Sequence, residues 1–378
     1  MAEPILFLDH ASGLGGAEKV LLLLLKDLDR TRWRPFLICP GGPLAERAES
    51  LGISVSIVSI PRLRRSLRGP VDWLRTALVI ADLARRVNAA FLVANTVRAA
   101  FYGALAAYWS CIPFIWYMHD FWLSESRPRH LGADYLGKRG LCAAAAHVIA
   151  NSYATASHLP CPSKVTVVYN GIEVENYDPA LDGRPFRRQY GIPEDVPVVG
   201  MVGRLRPWKG QDRFLRVLAQ VREVIPIVWG LVVGGHPLAV PDDYPQRLRL
   251  LTAELGLKGC VVFTDHLEDV RPALAAMDLF VHPGDPEPFG LVNIEAMAMA
   301  RPVVAFAQGA LPEIVVDKVT GLLVPPGDEA SMAQAILALL HNPGWQQMLG
   351  AAGRERVQMC FASDRMVREV SAIFEKVV

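Results

Sequence analysis

Glu287 and Glu295 stand eight residues apart in the segment His282–Pro302, HPGDPEPFGLVNIEAMAMARP. After Gly290 the apolar residues Leu291, Ile294 and Ala298 recur at helical spacing, and no glycine or proline interrupts them before Pro302. This predicts a loop around Glu287 and a helix that carries Glu295 roughly one and a half turns inside it. The free N–H groups of a helix's first turn attract anions. The segment therefore predicts an anion site with a carboxylate on either side. A ligand with phosphate in its middle and hydroxyls at both ends, as in a nucleotide sugar, suits such a site.

Two cations supply a second clue. Arg204 and Lys209 lie five residues apart in Gly203–Gly210, GRLRPWKG, directly after the apolar run Val198 to Val202. A departing diphosphate develops negative charge, which this pair can neutralise in a dry site. Near the start of the chain, Ser12–Glu18 (SGLGGAE) links an apolar run, Ile5 to Leu8, to a helical pattern, Lys19 to Leu28. Gly15 and Gly16 there allow positive φ and close approach of backbone N–H groups to an anion. A dinucleotide fingerprint would need glycine where Glu18 stands and an acid after Phe36–Cys39, and both are missing. His119 ends the run Pro113 to Met118, at the carboxyl end of a strand where open α/β sheets bind ligands. Phe121 and Trp122 follow it as a candidate sugar-stacking or acceptor-facing wall.

Short apolar runs separated by helical patterns position these residues. Ile5–Leu8, Phe36–Cys39, Ser54–Ile60, Ala90–Ala94, Pro113–Met118, His147–Ala150 and Val165–Tyr169 read as strands of one parallel sheet. Asn151-Ser152 can cap the helix after His147–Ala150. Tyr177 to Glu194 carries Pro179, Gly183, Pro185, Gly191 and Pro193, the composition of a linker. A second series follows at Val198–Val202, Ile227–Val233, Val261–Thr264, Leu279–His282 and Val303–Ala307. The expected domains are 1–178, 179–360 and a terminal helix over 361–378.

A chain of 378 residues, 52% hydrophobic and 20% charged, can bury two cores. A net charge of +1 gives no bias toward nucleic acid. Arg62, Arg64, Arg65 and Arg68 form a basic cluster before an amphipathic stretch to Val87, a candidate for peripheral contact with an anionic membrane. The longest apolar run, Val20 to Leu25, is far short of the ~20 residues of a spanning helix. The six cysteines are scattered without a C-x-x-C pair, and read as reduced thiols of a cytoplasmic protein without a signal peptide. Asp27-Leu28-Asp29 spells a D-x-D metal signature but falls at a helix end and reads as surface charge.

The segment from Glu287 resembles the E-x7-E stretch of retaining glycosyltransferase family 4. It matches at Glu287, Pro288, Phe289, Gly290, Leu291, Glu295, Ala296, Met297, Ala298, Pro302, Val303 and Val304. It departs at Ala300, where the family usually has glycine, a change expected to cost little because alanine is small. Gly203–Gly210 resembles the family's G-R-L-x-x-x-K-G loop, Gly15–Glu18 its G-G-A-E turn, and Asn170–Glu173 its P-N-G-V-D segment with Tyr169 in place of proline.

The resemblance implies an α/β GT-B fold: two Rossmann-like domains facing a central cleft, with a C-terminal helix crossing back to the first. It implies transfer, with retention, of a hexose or N-acetylhexosamine from a nucleotide-diphosphate sugar to a hydroxyl acceptor, UDP being favoured over GDP. No cofactor or metal is implied. Arg204, Lys209 and the helix start near Gly290 would hold the diphosphate. Glu295 would bind the ribose and Glu287 the donor sugar, and His119 would point at that sugar. Gly15 and Gly16 would reach the donor phosphates, Phe289 and Leu291 would line the donor site, and backbone near His266 would hold the base. The alternatives are an inactive scaffold that binds a nucleotide sugar or a partner, and a UDP-sugar 2-epimerase.

Overall fold

The computed structural model describes residues 2–62, 69–121, 131–235 and 243–378, so Arg64, Arg65, Arg68 and Trp122 fall outside the described residues. The chain divides into two compact units, Met1–Ile172 with Ser363–Val378, and Glu173–Ala362.

In the first unit the apolar runs become strands β1 (Glu3–Leu8), β2 (Trp33–Cys39), β3 (Ser54–Ile57), β4 (Phe91–Ala94), β5 (Phe114–Met118), β6 (His147–Ala150) and β7 (Val165–Val167). They form a parallel sheet in the order β3-β2-β1-β4-β5-β6-β7. Ile5 to Leu8 and Phe91 to Ala94 are at most 1% exposed, because helices cover both faces. The edge strand β3 stops at Ile57, short of the expected Ile60, and its residues are half-buried or exposed. Ser152 caps the helix Tyr153–Ser157 by accepting the Thr155 N–H at 2.9 Å.

The terminal helix Ser363–Val377 belongs to this unit through apolar packing. Its Phe374 meets Phe7, Trp33 and Phe91 at ring-centroid distances of 6.1, 6.1 and 5.1 Å. Cys142 and Cys161 form a disulfide with Cα atoms 5.9 Å apart, which corrects the expectation of six reduced thiols. Scattered spacing gave no sign of it, since the chain folds between them to bring a helix end beside a distant loop.

The second unit repeats the architecture with β8 (Val198–Val202), β9 (Trp229–Val233), β10 (Val261–Phe263), β11 (Leu279–His282), β12 (Val303–Phe306) and β13 (Gly321–Val324). Its parallel order is β10-β9-β8-β11-β12-β13. In both sheets the strand order reverses once, between β1 and β4 and between β8 and β11. The carboxyl ends of such a pair are where ligands of these folds bind. Asp9 and Asn95 follow β1 and β4. Gly203–Gly210 and Pro283–Gly290 follow β8 and β11. Among the described residues, no helix is long and apolar enough to cross a membrane.

The helix Leu291–Ala298 ends in a paired turn, with the Ala300 N–H on Met297 O and the Arg301 N–H on Ala296 O, both at 2.9 Å. That turn puts Ala300 at φ +53°. Size is not what decides this position: left-handed backbone costs a residue with a Cβ about 1–2 kcal/mol. Glycine's greater freedom in the unfolded chain offsets about 0.4–1 kcal/mol of that. Ala300→Gly should thus raise the melting temperature by about 1–3 °C. Scanning calorimetry checks this, and an unchanged or lower midpoint would contradict it.

Candidate functional site

Lys209 ends the turn Pro207–Lys209, and the chain turns into the helix Gln211–Val224 at Gly210, with φ +76°. A Cβ on Gly210 would lie 2.4 Å from Pro283 O, so only glycine lets the loops after β8 and β11 touch backbone to backbone. Several bonds hold them together. Asp285 N–H donates to Trp208 O at 2.7 Å. Arg213 donates to Pro283 O at 2.9 Å and pairs with Asp285 at 2.6 Å. Within the β8 loop itself, Gln211, fully buried, donates to Arg204 O at 3.0 Å.

This stitching brings Lys209 onto Glu287. The ammonium forms an ion pair with Glu287 Oε1, and His282 Nε2 lies 3.5 Å from the same oxygen. From the other side, Ala310 N–H donates to Glu287 O at 2.9 Å. The preceding Gly309, at φ +56°, has room for no Cβ, which would sit 2.6 Å from both Glu287 N and O. Burial pushes the Glu287 carboxyl up, but the Lys209 charge and the His282 contact outweigh it and hold the group at about 2. Glu287 is therefore a fixed carboxylate near neutral pH.

The helix Leu291–Ala298 begins at Gly290 with no side-chain cap on its first turn, which leaves backbone N–H groups for an anion. Glu295 lies inside this helix, 6% exposed, and accepts a hydrogen bond from the Tyr177 phenol. Burial first, and then Glu295, push the Tyr177 hydroxyl well above its ordinary value. Phe289 is 2% exposed and packs edge-on to Phe361 at 5.8 Å, so it supports the loop as core. Leu291 is partly buried. Arg204 is exposed and pairs with no carboxylate among the described residues, and His266 is exposed after β10 with its backbone beside Gly235. Lys209 and Glu287 thus meet just before the helix that carries Leu291 and Glu295.

A separate cluster lies in the first unit. Gly15 has φ −101°, and Gly16 opens the helix Gly16–Asp27, so positive φ is not what Gly15 supplies. It supplies space: a Cβ on Gly15 would stand 2.6 Å from Glu18 Oε2, which accepts the Gly15 N–H at 2.8 Å. Asp9 is fully buried and takes the Ala11 N–H at 2.9 Å and Asn95 Nδ2 at 2.7 Å. Burial, and then the nearby Glu18, push the Asp9 carboxyl up to about 7. His119 Nε2 is 3.0 Å from Asn95 Oδ1, and its ring lies 4.0 Å from that of Tyr117. Burial lowers His119 to about 3, so the imidazole is neutral.

Sequence reasoning missed His282, Tyr177, Asp9 and Asn95. His282 and Asn95 were readable in principle as polar residues at strand ends. Tyr177 was not, because nothing in its surroundings points to a helix so far along the chain.

Two family models divide the chain between them: "Glycosyltransferase Family 4" over residues 14–176 and "Glycosyl transferases group 1" over residues 182–356. The lipopolysaccharide core biosynthesis mannosyltransferase LpsB of Rhizobium meliloti is 30% identical over 257 residues, 68% of this chain and 71% of its own. A D-inositol 3-phosphate glycosyltransferase of Salinispora arenicola is 34% identical over 261 residues, 65% of this chain and 58% of its own. This chain thus matches less than two thirds of the length of that relative. Among solved structures, HepE of Anabaena in complex with UDP-glucose superposes with a TM-score of 0.85 at 27% identity, covering 99% of both chains. The two parallel sheets with their helices, matched by that structure, define the GT-B class. The chain belongs to glycosyltransferase family 4, with the group 1 module as its second unit.

The Lys209–Glu287 pair should also appear as stability. With Glu287 held at about 2 against an ordinary 4.5, ionisation contributes on the order of 3 kcal/mol. A depressed carboxylate gives its full contribution above pH 4.5 and loses it as pH falls toward 2. Urea unfolding at pH 7 and pH 3 should show this loss in the wild type and a much smaller one in Lys209→Met. Equal pH slopes in the two proteins would contradict it.

Proposed function

We propose that this protein is a retaining glycosyltransferase. It moves a hexose or N-acetylhexosamine from a nucleotide-diphosphate sugar, with UDP preferred to GDP, to a hydroxyl of a glycan, lipid-linked or small-molecule acceptor. The observation that carries the reading is the Lys209–Glu287 pair, set beside the uncapped first turn of the helix that holds buried Glu295. HepE's complexes with UDP-glucose and the mannosyltransferase name of LpsB point to the same substrate class.

In this reading the diphosphate sits against the N–H groups after Gly290, with Lys209 and the exposed Arg204 facing it. Glu287, tied at one oxygen to Lys209, accepts hydrogen bonds from donor-sugar hydroxyls. Glu295 takes the ribose hydroxyls in exchange for the Tyr177 phenol. Backbone beside His266 holds the base, and His119 accepts a hydrogen bond from a sugar hydroxyl. The leaving phosphate oxygen takes the acceptor's proton on the face it vacates, so retention needs no protein nucleophile. A glycosidase would need one protonated carboxyl as general acid. Glu287, held at about 2, cannot serve as one near neutral pH.

The helix Gly69–Arg86 leaves Val71, Leu74, Leu78 and Val79 between 41% and 51% exposed, with Arg75 among them. An acceptor presented at an anionic membrane surface would suit that face and the exposed Arg62.

The test is UDP release from UDP-glucose. Lys209→Ala and Glu295→Ala should each lower turnover by about a hundredfold with the circular dichroism spectrum retained, the scale of removing one group that stabilises developing charge. Wild-type turnover in both variants would overturn the site assignment.

A further inference from the structure

Asn95 is fully buried, and its amide has one orientation that fits its neighbours. Nδ2 faces two acceptors, Asp9 Oδ2 at 2.7 Å and Ala17 O at 3.2 Å. The flipped amide would set its oxygen against both of those oxygens and leave its N–H groups facing the imidazole. Oδ1 therefore faces His119, 3.0 Å from Nε2, and can only accept. The remaining ring nitrogen, Nδ1, is buried and has no hydrogen-bond partner among the described residues. Buried polar atoms are nearly always satisfied, so one left open beside a fixed network calls for a reason.

We propose that Asn95, held in place by Asp9 and the Ala17 carbonyl, is a positioning residue that locks His119 in its Nε2–H tautomer and presents Nδ1 as a bare acceptor for a ligand hydroxyl. The inference rests on the reading of His119 as a ligand-facing residue and adds how the chain prepares it. Each link has one direction. The Ala11 N–H fixes Asp9 Oδ1, at 2.9 Å, which leaves Oδ2 to take the Asn95 amide. Asn95 then takes the imidazole N–H, as a tautomer-setting partner does wherever a histidine must keep one nitrogen free. The burial that keeps His119 neutral also keeps that lone pair available. A charged imidazole would offer two donors and no acceptor. Such a site discriminates by what the ligand donates. It favours a sugar with a hydroxyl at this point and penalises one with hydrogen or a methyl ether there, because the buried nitrogen stays unpaired.

The experiment is nitrogen NMR of the full chain labelled at histidine, with His119 assigned by its loss in His119→Gln. The wild type at pH 7 should show His119 neutral with the proton on Nε2. Asn95→Leu, of similar size, removes the acceptor without adding a charge beside Asp9, and should let the proton exchange between the two ring nitrogens, drawing their resonances together. Adding UDP-glucose to the wild type should move the Nδ1 resonance upfield as it gains a donor. A proton on Nδ1, or an imidazolium, in the wild type overturns the inference even if the protein transfers sugar. So do unchanged ring resonances in Asn95→Leu. The expected tautomer together with wild-type turnover in His119→Ala supports the network and removes His119 from the functional reading, so the two failures are told apart.

Discussion

A carboxylate as buried as Glu287 would ordinarily pick up a proton, and the Lys209 ammonium prevents it. That single ion pair explains much of the loop architecture of the second unit. Its partners come from different loops, after β8 and after β11, which must approach at backbone distance. Gly210 permits the approach on one side and Gly309 on the other, and Arg213 holds the loops in register. The energy of the pair depends on their exclusion of water, since the same charges in solvent would attract only weakly.

The two units use one topology for opposite electrostatics. Both place their polar residues at the carboxyl ends of the strands where the sheet order reverses, the position such folds reserve for ligands. The second unit gathers charge there: Lys209 on Glu287, with Arg204 exposed nearby in sequence. The first gathers a chain of directed hydrogen bonds, Asp9 to Asn95 to His119, that ends in a neutral imidazole. Charged groups suit a diphosphate and neutral acceptors suit hydroxyls.

Continuous apolar runs announce buried parallel strands, so the first sheet and five of the six strands of the second were legible in the chain, while β13, a short run beside Thr320, was not. The Gly203–Gly210 and Glu287–Glu295 stretches were legible for a related reason: each is a local loop whose chemistry is complete within a few residues. What stayed hidden depends on contacts between distant segments. Tyr177 reaches Glu295 across the unit, and Cys142 meets Cys161 only once a helix has returned to its loop. Gly15 looked like a residue chosen for positive φ, yet its role is to leave space for the Glu18 carboxylate. Ala300 looked harmless by size, and its cost lies in the left-handed turn it must adopt. Phe289 stands inside the matching motif, yet its side chain serves the core.

Calorimetric titration of UDP into the purified protein tests the central claim most directly, because it asks only whether the loops after β8 and β11 hold a nucleoside diphosphate. The account predicts one site in the wild type, with affinity at least about tenfold lower in both Lys209→Ala and Glu295→Ala, the worth of one charge-assisted hydrogen bond. No heat of binding in the wild type, or equal affinity in all three proteins, would contradict it.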